Sequence, residues 1–372
     1  MWPDSRIQNL LGIDLPILLA PMAGAALSEL AIAVAEAGGL GALPGAMLSA
    51  DQVRTEMGKI RERTSCPINL NFFCHQQPNV ETKQEAAWRE RLAPYYVELG
   101  IDLNLPIPSS TRMPFDEAMC DLVAELKPEV VSFHFGLPKN ELLARSRATG
   151  AKILSSATTV AEARWLEDHG CDAIIAQGYE AGGHRAMFLT QDVSTQVGTM
   201  ALVPQVVDAV KVPVIATGGI ADARGIAAAL ALGASAVQLG TAYLLCPEAR
   251  IGPVHRQALR NATDDQTVLT NVFSGRAARG IVNRIIRELG PISGLAPPFP
   301  MASGAITPLR MKSENLGSED FAQMWSGQSA HLGQELPARA LTKQLAAETL
   351  AKLDALTRNQ AIRRQHPADF PR

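Results

Sequence analysis

The 372 residues are 47% apolar and carry 34 Lys+Arg against 37 Asp+Glu, for a net charge of −3. This composition supplies a full core, excludes general disorder, and lacks the strongly basic face of a nucleic-acid-binding protein. The length suits one large domain, or a large and a small one.

In chain order, Pro16–Met22 predicts a short apolar strand, and Ser28 caps a helix with Leu30, Ala33, Val34 and Ala37 on its apolar face. Gly38-Gly39 stops that helix. Leu40–Leu43 predicts a second strand, Asp51 opens a helix through Ile60, and Pro67–Phe73 predicts a third strand. Helical patterns follow around 81–99 and 114–126. Val130–Phe135 is the fourth strand, followed by a helix from Asn140 to Ala148. Lys152–Ser156 is the fifth, with a helix from Val160 to His169, and Ala173–Gln177 is the sixth. After a helix around 199–210, Val212–Thr217 is the seventh; Asp222 caps a helix to Leu232, and Ala236–Leu239 is the eighth. Eight strands alternating with helices predict an α/β fold, a (β/α)8 TIM barrel. A doubly wound sheet would place G-x-G-x-x-G after its first strand, and no such motif occurs.

Beyond Leu245 the alternation ends. Residues 250–290 read as helical, and Pro291, Pro297, Pro298 and Pro300 mark a loop. From Glu335 to Arg358, Leu341, Leu345, Leu350 and Leu353 recur at helical spacing and should pack back on the barrel. Arg363-Arg364-Gln365-His366-Pro367 reads as a polar tail. The expected division is a barrel domain at 1–245, a smaller, mostly helical and loop domain at 246–325, and a C-terminal segment at 326–372.

Cys66, Cys74, Cys120, Cys171 and Cys246 are far apart and form no C-x-x-C. That argues against a disulfide framework or structural zinc, and for a reducing compartment. No long apolar run precedes Pro16, so no secretory signal is expected and the chain reads as cytoplasmic. Gly225–Pro247 is uncharged and long enough to span a bilayer, but Gly233 divides it into a helix pattern and a strand pattern. It reads as buried α/β core, and no membrane partner is expected.

The stretch Ala176-Gln177-Gly178-Tyr179-Glu180-Ala181-Gly182-Gly183-His184-Arg185 leaves the sixth strand as a glycine-bearing loop. In a parallel barrel such loops carry function. Gly182-Gly183 lets backbone N–H groups approach a ligand, and His184 is a candidate base, acid or donor to an anion. Gly218-Gly219 and Gly240-Thr241 end the seventh and eighth strands, where barrels commonly cradle a phosphate. A phosphorylated ligand or cofactor follows. Asn69 and Asn71 share one side of the third strand; Asn71 reads equally as a ligand to a heteroaromatic ring or a structural amide. With Gln177 and Gln238, it suggests a neutral ligand rich in donors and acceptors. His134, at the end of the fourth strand, reads as a mouth residue or a satisfied core group. Cys74 and His75 assemble no metal set. Arg276, Arg279, Arg284 and Arg287 read as a row on one helix, either solvated or facing an anion, and Lys312 is a similar weak candidate.

Together these motifs resemble the nitronate monooxygenases, formerly called 2-nitropropane dioxygenases, over most of the chain. The resemblance rests on Leu19-Ala20-Pro21-Met22-Ala23, Asn69-Leu70-Asn71-Phe72-Phe73, Ser132-Phe133-His134-Phe135-Gly136, the 176–185 loop, Thr217-Gly218-Gly219-Ile220, Gln238-Leu239-Gly240-Thr241 and Trp325-Ser326-Gly327-Gln328. The His184 loop looks like the class I branch, whose typical substrate is propionate 3-nitronate. The resemblance implies FMN, with its phosphate on Gly218, Gly219, Gly240 and Thr241. Asn71, Gln177 and Gln238 would bond flavin or ribityl atoms, and Met22 and Ala23 would lie along the isoalloxazine. Gly182, Gly183 and Leu239 complete the implied cofactor set. His184 would bind the nitronate oxygens, or act as base toward a nitroalkane, with His134 as a second donor. The implied reaction passes one electron from the nitronate to flavin. Dioxygen then combines with the resulting radicals, giving an aldehyde or oxo acid plus nitrite. The competing readings are an FMN-dependent NAD(P)H reductase of quinones or enoyl thioesters, and a flavin-free barrel that binds a phosphorylated metabolite. The oligomeric state is left open.

Overall fold

The computed structural model describes residues 2–79, 82–106, 108 and 112–365. Six parallel strands come first: β1 (Ile17–Leu19), β2 (Gly41–Pro44), β3 (Ile68–Phe73), β4 (Val130–His134), β5 (Lys152–Ala157) and β6 (Ala173–Gln177). A two-residue strand, β7 (Gly183–His184), belongs elsewhere, and β8 (Val214–Thr217) and β9 (Ala236–Leu239) complete the sheet. Its order is β1-β9-β8-β6-β5-β4-β3-β2. Leu19 N–H donates to Leu40 O at 2.9 Å and Leu40 N–H to Ile17 O at 3.0 Å, which closes the ring. The (β/α)8 barrel is therefore present, with each expected strand within a few residues of its expected place.

Helix α1 (Arg6–Leu11) lies against the N-terminal end of the barrel. Its Ile7 and Leu11 pack with the inward residues Leu18, Leu40, Val130, Leu154, Ile175 and Ile215, so that end is plugged by apolar side chains. Helices α2 (Ser28–Ala35) and α3 (Ala50–Arg63) follow the first two strands. Ser49 caps α3 reciprocally with Gln52. Next come α4 (Thr82–Glu98), α5 (Glu117–Leu126), α6 (Asn140–Ala148), α7 (Val160–Asp168), α8 (Thr199–Ala209) and α9 (Ala223–Ala231). The uncharged Gly225–Pro247 stretch runs through α9 and β9. No helix among the described residues is long and apolar enough to cross a membrane.

The region after the barrel differs from its helical expectation. Helix α10 (Pro253–Asn261) is followed by strands β10 (Thr267–Thr270) and β11 (Ala278–Ile281), then by helices α11 (Arg284–Leu289) and α12 (Ala302–Asn315). The two strands pair antiparallel, and β11 also pairs β7, opposing Ala278 to His184. Four-residue strands show no usable periodicity, and their partner lies far away in sequence. Arg276 therefore sits in a turn and Arg279 on a strand; only Arg284 and Arg287 share a helix. Lys312 is exposed on α12.

A second hydrophobic cluster forms here around Trp88, Tyr96, Phe273, Ile286, Ile306 and Phe321. It includes α4, which the chain supplies from between β3 and β4. Helix α13 (Ala338–Gln365) packs on α9 and α2, burying Leu341 and Leu345 and half-burying Leu350 and Leu353. Residues 363–365 continue that helix, while His366 and Pro367 lie outside the described residues.

Candidate active site

The open C-terminal end of the barrel holds a cavity of about 780 Å³, within the range of cofactor and substrate pockets. Its barrel wall comes from the residues just past the strands, and its far wall from Arg250–His255, Arg310, Glu314, Asn315, Gln323 and Trp325.

On the barrel side, three loops converge as a glycine cradle. Gly183, Gly218 and Gly219 have φ values of 73°, 113° and 69°, a region that disfavours any Cβ. At Gly182 the constraint is approach: a Cβ would lie 2.5 Å from Gly327 N and 2.6 Å from Ser326 C. Among the described residues, the N–H groups of Gly182, Gly218 and Gly219 donate to no backbone acceptor. Unpaired amides on crowded turns suit an anion. Glu180 fixes these turns by accepting from Thr199 N and Oγ1, each at 2.8 Å, and Thr199 Oγ1 also lies 2.8 Å from Gly218 O. The Trp325–Gln328 segment ties in from outside. Gly327 N–H donates to Thr241 Oγ1 at 2.9 Å, Gln328 N–H to Glu180 O at 3.1 Å, and Ser329 Oγ to Gly219 O at 2.6 Å.

The three amides have different surroundings. Asn71 Nδ2 donates to Ser132 Oγ at 2.9 Å and Ser132 O at 3.2 Å. Gln177 clamps the histidine loop: Nε2 donates to His184 O at 3.1 Å, and Oε1 accepts from Ala186 N–H at 2.8 Å. Gln238 lines the cavity with its buried Oε1 unpartnered, an acceptor that calls for a ligand donor. Met22, Ala23, Gly240 and Thr241 line the cavity as well. Leu239 does not; its side chain is buried in the layer between barrel and helices.

His184 enters on β7, held by β11. Its Nε2 lies 2.8 Å from Ser274 Oγ, and its ring meets Phe299 edge-on at 5.1 Å and Trp325 at 5.4 Å. His134 Nε2 lies 3.2 Å from His184 O. A carbonyl only accepts, so that bond places the His134 proton on Nε2. Burial, partly offset by this bond and reinforced by the Arg276 and Arg185 charges, pushes His134 down to about 3. Burial first, then Arg112, His134, Arg276 and His75, hold His184 well below the usual histidine range. Both rings are neutral at pH 7, in a pocket of positive potential.

Phe135 is a non-glycine residue at φ 72°, a strained backbone of the kind found at functional sites. Its ring packs on His134 at 4.5 Å, under the Arg276 guanidinium at 4.0 Å. Arg276 also donates to Met187 O. His75 is buried 4.8 Å from Phe299, with no hydrogen bond of normal geometry at either ring nitrogen. Among the described residues no cluster of His, Cys, Asp or Glu is placed to hold a metal.

The sequence reading missed Ser274, the placement of Arg276, and Arg112. All three arrive through the three-stranded sheet or the long β3–β4 connection. The Ser274-Gly275 turn signal between Thr267-Val268-Leu269-Thr270 and Ala278-Arg279-Gly280-Ile281 could have pointed to Ser274 and Arg276, but nothing of the kind marks Arg112.

A family model described as nitronate monooxygenase matches residues 4–348. The chain belongs to the nitronate monooxygenase family. It is an enzyme of that family, and nitronate oxidation is the activity the kinship supports. A nitronate monooxygenase of Pseudomonas aeruginosa is 40% identical over 346 residues, covering 92% of this chain and 98% of that one. A probable nitronate monooxygenase of Staphylococcus aureus is 36% identical over 93% of this chain and 97% of its own. Among solved structures, a nitroalkane oxidase from Streptomyces ansochromogenes has a TM-score of 0.86 at 38% identity, covering 95% of this chain and all of that one. FabK from Thermotoga maritima follows the fold less closely, with a TM-score of 0.71 at 28% identity, covering 95% and 98%.

Proposed function

We propose that this chain is an FMN-dependent enzyme that oxidises alkyl nitronates, propionate 3-nitronate among them, with dioxygen to an aldehyde or oxo acid plus nitrite. The observation that carries this is one cavity holding both an anion cradle of free amides and a neutral histidine ringed by cations. Gly182, Gly218 and Gly219 would hold the FMN phosphate, with Gly240 and Thr241 beside them. Gln238 Oε1 would accept from the flavin ring or ribityl chain, Asn71 would add its amide, and Met22 and Ala23 would border the ring. Bound there, the flavin supplies a one-electron acceptor next to the substrate.

The protein's own part is to bind and orient an anion. Arg112 and Arg276 create the positive potential, and His184, fixed by Ser274 and by Gln177 on its carbonyl, presents its ring to the nitronate oxygens. His134 holds the His184 carbonyl and so fixes the loop. A histidine this far below its usual range is a weak base. The pocket is thus better matched to a nitronate that is already ionised than to a neutral nitroalkane. Phe73, Phe135 and Phe299 exclude water around it.

The test is a visible spectrum of the purified protein before and after anaerobic addition of propionate 3-nitronate, with nitrite measured after admitting air. A flavin spectrum that changes with nitronate, followed by nitrite release, is expected. A flavin bleached by NADH but indifferent to nitronate would establish a reductase instead. No flavin after reconstitution with FMN would overturn both. His184→Asn should keep the flavin and lower nitronate turnover by about two to four powers of ten.

A further inference from the structure

Arg185 follows His184 directly in the chain and is fully buried. A buried guanidinium is costly unless its donors are met. Here they are met by neutral oxygens, two of them in the backbone of the histidine loop. Nη1 donates to Gly178 O at 2.7 Å, Nη2 to Gln177 O at 2.8 Å and Nε to Gln196 Oε1 at 2.8 Å. Gln177 and Gly178 stand where β6 ends and the loop begins. The side chain next to His184 therefore ties the exit of the loop to its entrance. Gln177 binds in the opposite direction: its side chain bonds His184 O and Ala186 N–H, on either side of Arg185. Arg185 N–H itself donates to Ala277 O at 2.9 Å, just before β11.

The outer partner is itself fixed. Gln196 Nε2 donates to Thr158 Oγ1 at 3.0 Å, and the single hydroxyl proton of Thr158 goes to Glu162 Oε2 at 2.7 Å. The Gln196 amide can therefore face only one way, with Oε1 towards Arg185. Glu162 is fully buried, and its other oxygen accepts from Phe188 N–H at 2.6 Å and Leu189 N–H at 3.2 Å. The bonds run from cation to carboxylate through two neutral side chains, then return to the backbone just past Arg185. Burial first, then the Arg279 charge, push Arg185 down to about 10 against the opposing pull of Glu180 and Glu162. The guanidinium keeps its charge at neutral pH. Three acceptors spread around one group suit its planar fork, whereas the compact ammonium of a lysine cannot reach all three.

We propose that Arg185 is a positioning residue of this active site: its guanidinium, oriented by Gln196 and Thr158, locks the 177–185 loop and thereby fixes where the His184 ring stands. This rests on the reading of His184 as the group that meets the nitronate, and adds what holds that group in place. Gln177 and Ser274 each hold one atom of His184. Arg185 holds the closed loop that brings those atoms to them.

The experiment reads kcat/KM for propionate 3-nitronate, per bound flavin, in Arg185→Lys and Gln196→Met, each alone and combined with His184→Asn. A misplacement of about 1 Å in a reacting group costs about 100-fold. Arg185→Lys should therefore lower kcat/KM by about 10- to 100-fold, and Gln196→Met, which leaves the fork its two backbone bonds, by about 3- to 10-fold. In the His184→Asn background either change should cost less than about twofold, because the group being positioned is gone. A role confined to stability would cost the same in both backgrounds. Losses under about twofold in both single variants, or losses that persist above about twofold with His184→Asn, overturn the proposal. If Arg185→Lys does not fold, Gln196→Met decides alone by the same criteria. If wild type oxidises no nitronate, the functional reading fails, and amide hydrogen exchange of residues 178–186 in the purified protein decides the clamp separately. Exchange at least about tenfold faster in Gln196→Met supports it, and any smaller change overturns it.

Discussion

Acid should unfold this protein from its active site outward. Burial, the largest cause in each case, holds His75 near 4, His134 near 3 and His255 near 4. In the unfolded chain each titrates near about 6.5. The native state therefore binds fewer protons than the unfolded state once the pH drops below that value. Stability is untouched above about pH 6.5 and is lost progressively as the pH falls toward the folded-state values. Each such group takes away about 1.4 kcal/mol per pH unit.

His75 is buried, whereas His134 and His255 border the cavity. With His184, which burial also holds below its usual range, the slope is one to four protons, or about 1.4–5.5 kcal/mol per pH unit. That is steep against a total stability of about 5–15 kcal/mol. Urea unfolding followed by fluorescence of the four tryptophans, at steps between about pH 7 and pH 5, measures the slope directly. His255→Gln, whose amide can keep the 3.0 Å bond to Trp325 O, should reduce it by about one proton. A slope under about half a proton over the acid half of that range would refute the reasoning.

Other perturbations test the site from different sides. Gly182→Ala drives a Cβ into the backbone at Ser326–Gly327, and should lower FMN affinity at least about tenfold with about 1–3 kcal/mol of stability. Flavin retained in full after dialysis would show that Gly182 is not part of the cradle. Ser274→Ala removes the 2.8 Å partner of His184, and kcat/KM for a nitronate should fall about tenfold. In a His184→Asn background the same change should cost less; equal losses in both would mean that the two residues act independently. Trp88→Ala empties the centre of the second cluster and breaks its 3.2 Å bond to Ala302 O, for about 3–5 kcal/mol by denaturant unfolding.

Much of the site was legible because barrels put function where strands end. Gln177 and Gln238 follow buried apolar strand residues that alternate between the barrel interior and the helix layer, and the glycine pairs at 182–183 and 218–219 stand at loops where only a small residue fits. The roles of the three amides were not legible. Gln177 binds the backbone of its own loop rather than standing open to a ligand, and Gln238 alone keeps a buried acceptor without a partner. Leu239 could be placed at the strand end from sequence, but not on its outer face, because strand alternation loses phase where the chain turns.

The eight βα units, their order and the approximate place of each strand were written in local patterns, since each unit forms from neighbours in sequence. What stands over the barrel mouth was decided only by tertiary structure. Two four-residue strands take their third partner, Gly183–His184, from nearly a hundred residues earlier. α4 crosses to the second cluster, and α12 brings Arg310 to the far wall. Segments this short carry too little periodicity to declare themselves, and their pairing stabilises only when both partners are present. The sequence by itself determined the barrel and its glycine cradle; long-range contacts decided what surrounds His184.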